Sequence, residues 1–383
     1  MKDQSSGHFW GRMQNKKAYF PLTGQIELTY RCNLNCIHCY CKGSEEKDLI
    51  RSTLHAARLT LEKRELATEE WKKIIDGVHK EGCLFLCLTG GDPLVREDFL
   101  EIYSYAKHKG FIVALFTNGQ GFTKEIIDYL AKSPPFSIEI TLNGITKDTY
   151  ESITQTKDSF SHVMETMKIL AERKLKLTLK ANCLKQNKHE ISRIKAFTEK
   201  FLGKPSENKY YFKYDPMICP RLNGDKTPCQ YRFSFKELVE LRKQDPDIWK
   251  EYEKGLHSDY PELERDNNFL YRCNSWMSNF FINPYGRLKF CIFSDKYSSD
   301  LKTESFKEGF YHRFPQLLKE KFKTDSKCRT CSLRPICYHC PARAHLETGD
   351  EEAPVPYYCE LAKEIARDRC KYHDTRNMLH AAR

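Results

Sequence analysis

No apolar run in this chain approaches the length of a membrane span. Residues 1–20 are polar and basic, without the apolar stretch of a signal peptide. The 63 basic and 52 acidic residues leave a net charge of +11, yet they form no dense basic block. No helix-turn-helix or RNA-binding fingerprint accompanies them, so the charge reads as a lysine-rich solvated surface. These absences predict a cytoplasmic protein with no nucleic-acid partner and no membrane. Cysteine, by contrast, is plentiful: 17 in 383 residues, most of them at short spacings. Secreted proteins that use cysteine this densely are small. A chain of this length, 40% hydrophobic, can bury a sizeable core and has room for two domains. A reducing compartment that keeps the thiols available for metal is the simplest account.

Residues 31–40 read RCNLNCIHCY and place Cys32, Cys36 and Cys39 at C-x3-C-x2-C spacing. They follow an alternating stretch, 25–30, that predicts a short strand. Three thiolates on one tight loop can hold three corners of a [4Fe–4S] cluster and leave one iron open, whereas electron-transfer clusters are closed by four cysteines. A zinc loop is the alternative, but zinc wants four ligands, with paired CxxC or ordered histidines.

Downstream, the charged segment 42–67 reads as an insertion. Thr68 is placed to cap a helix with Glu69 and Glu70 in its first turn and Trp71, Ile74, Ile75 and Val78 on one face. Strands are predicted over 84–89, 111–116, 136–142, 175–183 and 210–214. Between them lie helices carrying Phe99, Ile102, Tyr103 and Ala106, opening near Thr123, carrying Phe160, Val163, Met164 and Met167, and running from about His189 to Phe201. Six strands separated by helices argue for parallel βαβ units, in an open sheet or a barrel.

The thiol loop at the end of a first strand resembles the signature of radical S-adenosylmethionine (SAM) enzymes. Three strand ends carry the same likeness: Thr89-Gly90-Gly91-Asp92-Pro93 beside the family's Gly-Gly-Glu-Pro, Thr117-Asn118-Gly119, and Thr141-Leu142-Asn143-Gly144. Lys180 and Asn187 match family positions more loosely. The resemblance implies a partial (βα)6 barrel of TIM type in an α/β chain, with the cluster at the C-terminal ends of the strands. It implies that the open iron chelates SAM, whose reductive cleavage gives a 5′-deoxyadenosyl radical. Gly90, Gly91, Asp92, Asn118, Thr141, Asn143 and Lys180 are then expected to bind SAM, with Asp92 reading its amino group although it is one methylene shorter than the family's Glu.

A second cysteine system follows: Cys273-x12-Gly286-x4-Cys291, then Cys328-x2-Cys331-x5-Cys337-x2-Cys340, then Cys359. A hairpin is predicted to turn at 283–286. So many cysteines with few long apolar periods between them need metal to supply folding energy. The pattern resembles the SPASM domain, a small cysteine-rich α+β extension carrying two auxiliary [4Fe–4S] clusters, for a total of three. The resemblance assigns Cys328, Cys331, Cys337 and Cys359 to the outer cluster and Cys273, Cys291 and Cys340 to the inner one. No cysteine lies between Cys229 and Cys273, so the inner cluster is either open or completed by Cys219 or Cys229. The predicted organisation is an N-terminal tail (1–23), barrel (24–215), linker with a bridging helix capped by Ser234 and Glu237 (216–269), SPASM region (270–362) and C-terminal helical tail (363–383).

The implied activity is that of a radical SAM oxidoreductase that modifies a precursor peptide, by a thioether or other cross-link or by side-chain oxidation. Its partners would be a flavodoxin- or ferredoxin-type reductant and, since about 24 residues precede the first strand, either a separate leader-binding protein or another surface of this chain for the leader. Formylglycine-forming members carry an aspartate after the second cysteine of the Gly-x4-Cys motif; here that residue is Ile292, which argues against that reaction. The alternatives are an enzyme acting on a tetrapyrrole or another cofactor precursor and, from another class, a zinc-stabilised binding protein.

Overall fold

The structure, a computed structural model, describes residues 19–43, 64–203, 211–245, 268–273 and 275–367. Most of the charged insertion and of both terminal tails, with Cys370, lies outside the described residues. Six parallel strands are joined by helices: β1 (Thr23–Thr29), α1 (Thr68–Lys80), β2 (Phe85–Gly90), α2 (Phe99–His108), β3 (Ile112–Thr117), α3 (Lys124–Lys132), β4 (Ser137–Thr141), α4 (Lys147–Thr154), α5 (Ser159–Glu172), β5 (Leu177–Asn182), α6 (Ile191–Leu202) and β6 (Phe212–Asp215). The chain continues through α7 (Phe235–Gln244), β7 (Asn279–Ile282), β8 (Arg287–Lys289), β9 (Ser299–Asp300), α8 (Pro341–Thr348) and α9 over 356–367.

The predicted helical faces are the buried ones. α1 turns Trp71, Ile74, Ile75 and Val78 inward, and α2 turns Phe99, Ile102, Tyr103 and Ala106 inward. Each large apolar side chain so buried contributes roughly 1.5–3 kcal/mol. Thr68 is not the cap of α1, as expected from its type. Ala67 holds that position, and the Glu70 carboxylate accepts from its amide at 2.8 Å. The Thr68 hydroxyl donates instead to Asp98 at 2.6 Å, because Asp98 opens α2 alongside. The Thr123 cap and the reciprocal bonds between Ser234 and Glu237 form as predicted.

The strands alternate in chemistry because their two faces meet different surroundings. Ile26, Leu28, Leu86, Leu88, Val113, Leu115, Ile138, Ile140 and Leu179 join one core. The other face is mixed, with its charges toward β4–β6: one cross-strand row runs Phe116, Glu139, Thr178, and the next runs Thr141, Lys180, Lys213. Lys213 bonds Glu139 at 2.6 Å within it.

The cysteine-rich half is not a separate body. β7 pairs in parallel with β1, Gly24 opposite Phe280 and Ile26 opposite Ile282. The β7–β8 hairpin turns at 283–286, where Gly286 adopts a positive φ of 84° and Asn283 accepts from Tyr285 and Arg287. The result is one sheet in the order β6-β5-β4-β3-β2-β1-β7-β8-β9. Leu270, Trp276, Phe280, Leu288, Phe310 and Leu361 belong to the same core as the barrel.

Candidate active site

The chain leaves β1 at Thr29 and enters the thiol loop at once. Asn35 N donates to Thr154 O at 2.9 Å and Ile37 N to Ile153 O at 3.0 Å. Both acceptors are carbonyls of the last turn of α4, which the helix itself leaves unpaired, so the loop takes its shape from the helix end. The Cys32 sulfur accepts from Leu34 N at 3.4 Å and from the Asn118 side-chain amide at 3.3 Å. Cys36 feels the charges of both Cys39 and Cys32. Burial pushes the Cys32 thiol up to about 11 and the Cys36 thiol higher still. Cys39 goes the other way, to about 6, because the Cys41 thiol 3.5 Å away bonds it. Three sulfurs on a loop fixed from behind, with N–H donors on one of them, fit a cluster held through three thiolates.

Gly90 and Gly91 are glycine because the loop leaves no room for a side chain. A Cβ at Gly90 would lie 2.1 Å from Thr29 O, and one at Gly91 would lie 2.3 Å from Arg31 O. Their closeness serves the loop: Gly91 N bonds Thr29 O and Asp92 N bonds Arg31 O. Asp92 is fully buried. Its carboxylate accepts from Leu94 N at 2.9 Å, Asn118 N at 2.7 Å and the Thr117 hydroxyl at 2.7 Å. It ties the end of β2 to the end of β3, and Asn118 passes that restraint on to Cys32 and, at 2.8 Å, to Asn33.

Thr141 and Lys180 sit opposite each other near the ends of β4 and β5. Asn143 is buried, its side chain accepting from Asn182 N at 2.8 Å and its backbone carbonyl from the Asn187 amide at 2.8 Å. The structure thus brings Asn118 and Asp92 to the thiol loop, and Thr141, Asn143 and Lys180 to the neighbouring strand ends. Sequence reasoning missed His38, inside the thiol motif. Its Nε2 lies 3.0 Å from the Asn182 amide, and its buried Nδ1 has no partner among the described residues. Burial, helped by the Lys180 charge, lowers its pKa to about 4 and keeps it neutral. Glu27 was missed too. It is a buried carboxylate on the mixed face of β1, taking the hydroxyls of Tyr40 at 2.6 Å and Tyr30 at 3.1 Å. No residue spacing signals either contact.

The second thiol system forms two groups. Cys328, Cys331, Cys337 and Cys359 act on one another electrostatically. Cys291 feels Cys340 first among its neighbouring charges and Cys273 after it, and burial pushes its thiol up to about 12. Among the described residues no three His, Cys, Asp or Glu side chains gather closely enough to hold a single metal ion. Between the two halves lies a cavity of about 510 Å³, lined by Tyr30, Tyr285, Lys289, Phe293, Lys296 and His345 among others.

Residues 26–197 match the family model described as the Radical SAM superfamily. Over those residues the chain is a radical SAM domain, the kind of domain that works with a [4Fe–4S] cluster and SAM. The chain is 24% identical over 349 residues to an AdoMet-dependent heme synthase of Methanosarcina barkeri, covering 86% of this chain and 94% of that one. It is 29% identical over 201 residues to a PqqA peptide cyclase of Rhizobium meliloti, covering 49% of this chain and about half, 50%, of the relative. Its fold matches the crystal structure of Streptococcus suis SuiB bound to precursor peptide SuiA, with a TM-score of 0.65 and 17% identity over 91% of this chain and 78% of the other. Among the described residues no helix is long and apolar enough to cross a membrane.

Proposed function

We propose that this chain cleaves SAM reductively at a cluster held by Cys32, Cys36 and Cys39 and uses the radical to modify a ribosomally made peptide. The observation that carries the reading is the meeting of the thiol loop with the ends of β2 to β5, where Asn118, Thr141, Asn143 and Lys180 gather. The cluster and SAM supply hydrogen-atom abstraction. The protein's part is to hold the loop rigid from α4, to keep His38 neutral beside Asn182, and to present the mixed barrel face. Gly90, Gly91 and Asp92 shape the SAM pocket from behind, chiefly through backbone and through Asn118. Two auxiliary clusters on the cysteine-rich half complete the proposal.

A peptide is favoured by the cavity wall. Lys289 is held by Asp295 at 3.1 Å, and Lys296 by Glu320 at 2.9 Å and Glu351 at 2.6 Å. The wall's lysines are already neutralised, which suits a substrate of mixed polarity. PqqA peptide cyclase, by its name, acts on a peptide. A tetrapyrrole substrate is the second reading, favoured by the match over nearly the whole length of the heme synthase. The test replaces Cys32, Cys36 and Cys39 with Ala together and reduces the protein with dithionite in the presence of SAM. The expected result is loss of 5′-deoxyadenosine with the auxiliary clusters retained; product from the triple variant would sink the assignment.

A further inference from the structure

We infer that Cys219, from the segment after β6, is the fourth thiol of the inner auxiliary site, which is therefore a closed cluster. The inference rests on the auxiliary-cluster reading above and deepens it.

The segment 217–224 leaves the barrel and is bolted at both ends. Asp215 accepts from Met217 N at 2.9 Å, and Leu222 N donates to Tyr40 O, in the thiol loop, at 2.8 Å. Between these, Ile218 O takes the buried Arg232 guanidinium at 2.7 Å, and Arg232 grips Glu347 of α8 with two bonds. Met217 packs on Ala344 of α8 and Tyr358 of α9. Cys219, 5% exposed, lies in this segment between its ties to α8, whose N-cap is Cys340. Its charge interacts with that of Cys340, and Cys340 interacts in turn with Cys291. Cys229, the other linker thiol, is acted on chiefly by Arg232, Glu347, Cys219 and Lys226.

A second observation points to an anionic occupant. Arg343, one turn after Cys340, is largely withdrawn from solvent against the Phe293 ring. Among the described residues it has no carboxylate partner; the ionisable groups its charge reaches are Cys219, Tyr358, Cys340 and Cys291. A withdrawn guanidinium needs a counter-charge. Thiolates bound to iron supply it, each thiol proton leaving to solvent as its iron–sulfur bond forms. Arg343 then acts as a positioning charge that favours the reduced, more negative cluster.

The experiment uses the full chain carrying the Cys32, Cys36 and Cys39 to Ala changes, so that only auxiliary clusters contribute. Iron, sulfide and electron paramagnetic resonance are measured after anaerobic reconstitution. Cys219→Ala should lose about four of about eight irons per chain, or leave a three-iron cluster, and Cys229→Ala should lose none. Cys219→Ser should keep the cluster at a shifted potential, which separates ligation from misfolding. Arg343→Gln should keep the iron and make the potential more negative. Full iron and an unchanged spectrum in Cys219→Ala overturn the inference. So does a spectrum of the parent that shifts on adding 2-mercaptoethanol, since a closed cluster has no iron to offer. A parent that binds no iron at all overturns the auxiliary-cluster reading itself.

Discussion

The side-chain amide of Asn118 donates to the Cys32 sulfur at 3.3 Å, so the third strand touches the thiol loop at the end of the first. A donor on sulfur stabilises the electron-rich state, and hydrogen bonds to sulfur set cluster potentials. Asn118→Ala is expected to make the reduction potential of the SAM-site cluster more negative and to slow SAM cleavage while leaving the iron content intact. A redox titration followed by electron paramagnetic resonance reads the shift; an unchanged potential would contradict the contact.

Asp92 holds Leu94, Thr117 and Asn118 from one fully buried carboxylate. Removing it leaves buried donors unpaired, at about 2–3 kcal/mol, so Asp92→Ala should lower the unfolding midpoint and weaken SAM binding together. Asp92→Glu matches the family motif but must place an extra methylene in a filled site, typically costing about 1–3 kcal/mol. Chemical denaturation of both variants, with SAM titrated calorimetrically, checks the order. A Glu variant as stable as the parent would show spare room at the turn.

Arg232 and Glu347, 5% and 14% exposed, form a two-pronged pair between the linker and α8. Breaking such a buried pair costs on the order of 3 kcal/mol. Arg232→Lys should rescue little of it, because an ammonium cannot reproduce the fork or its place over the Tyr357 ring. Thermal unfolding of Arg232→Ala, Arg232→Lys and Glu347→Gln decides this. Equal stability of the Lys variant and the parent would refute it.

Glu237 is pulled down to about 2, first by its bond to Lys188 and then by the Ser234 amide. A depressed carboxylate stabilises the fold above its unfolded value near 4.3 and loses that contribution as pH falls toward 2. The stability of α7 should therefore decline between about pH 4.5 and 2, and Glu237→Gln should flatten that limb. Both partners are partly exposed, so added salt should shrink the effect. Hydrogen exchange of 235–244 across this range is the measurement.

The six barrel strands were legible to within two residues at every end, because each is an apolar run closed by turn residues and flanked by a helix with one buried stripe. α4 was not: its buried positions Thr149, Tyr150, Ile153 and Thr154 include two threonines, and its eight residues are too short for a clear period. The hairpin at 283–286 was written in Asn-Pro-Tyr-Gly, but its docking on β1 was not, since a parallel pairing of residues 256 positions apart leaves no local mark. At the site, the thiol spacing and the strand-end glycines were visible. Gly90 and Gly91 carry the expectation of SAM binding, and their bare backbone makes room for the thiol loop. Cys41 was left without a role, yet it lies 3.5 Å from Cys39. Spatial neighbours such as Glu27 with Tyr40 are fixed by the path of the loop back over β1, which no short motif encodes.

One contact makes the join between the halves directly testable. A Cβ on Gly24 would meet the Phe280 ring at 2.3 Å, so Gly24→Ala should destabilise by about 1–3 kcal/mol, and Phe280→Leu should relieve much of it in the double variant. Additive losses, measured by denaturation of the four proteins, would argue against the contact.

Because β7 is hydrogen-bonded to β1, the spacing between the first thiol loop and the second thiol system is a matter of strand register, as graduations are fixed along a ruler. A slip of one residue would turn Phe280 and Ile282 away from the core and bring their polar neighbours into it, so intermediate spacings are not available. The halves are consequently not beads on a string. Exchanging the cysteine-rich half with that of another protein would succeed only where the donor's strand brings a ring to sit over Gly24, and the barrel expressed without it would expose the edge of β1 to pairing with other chains.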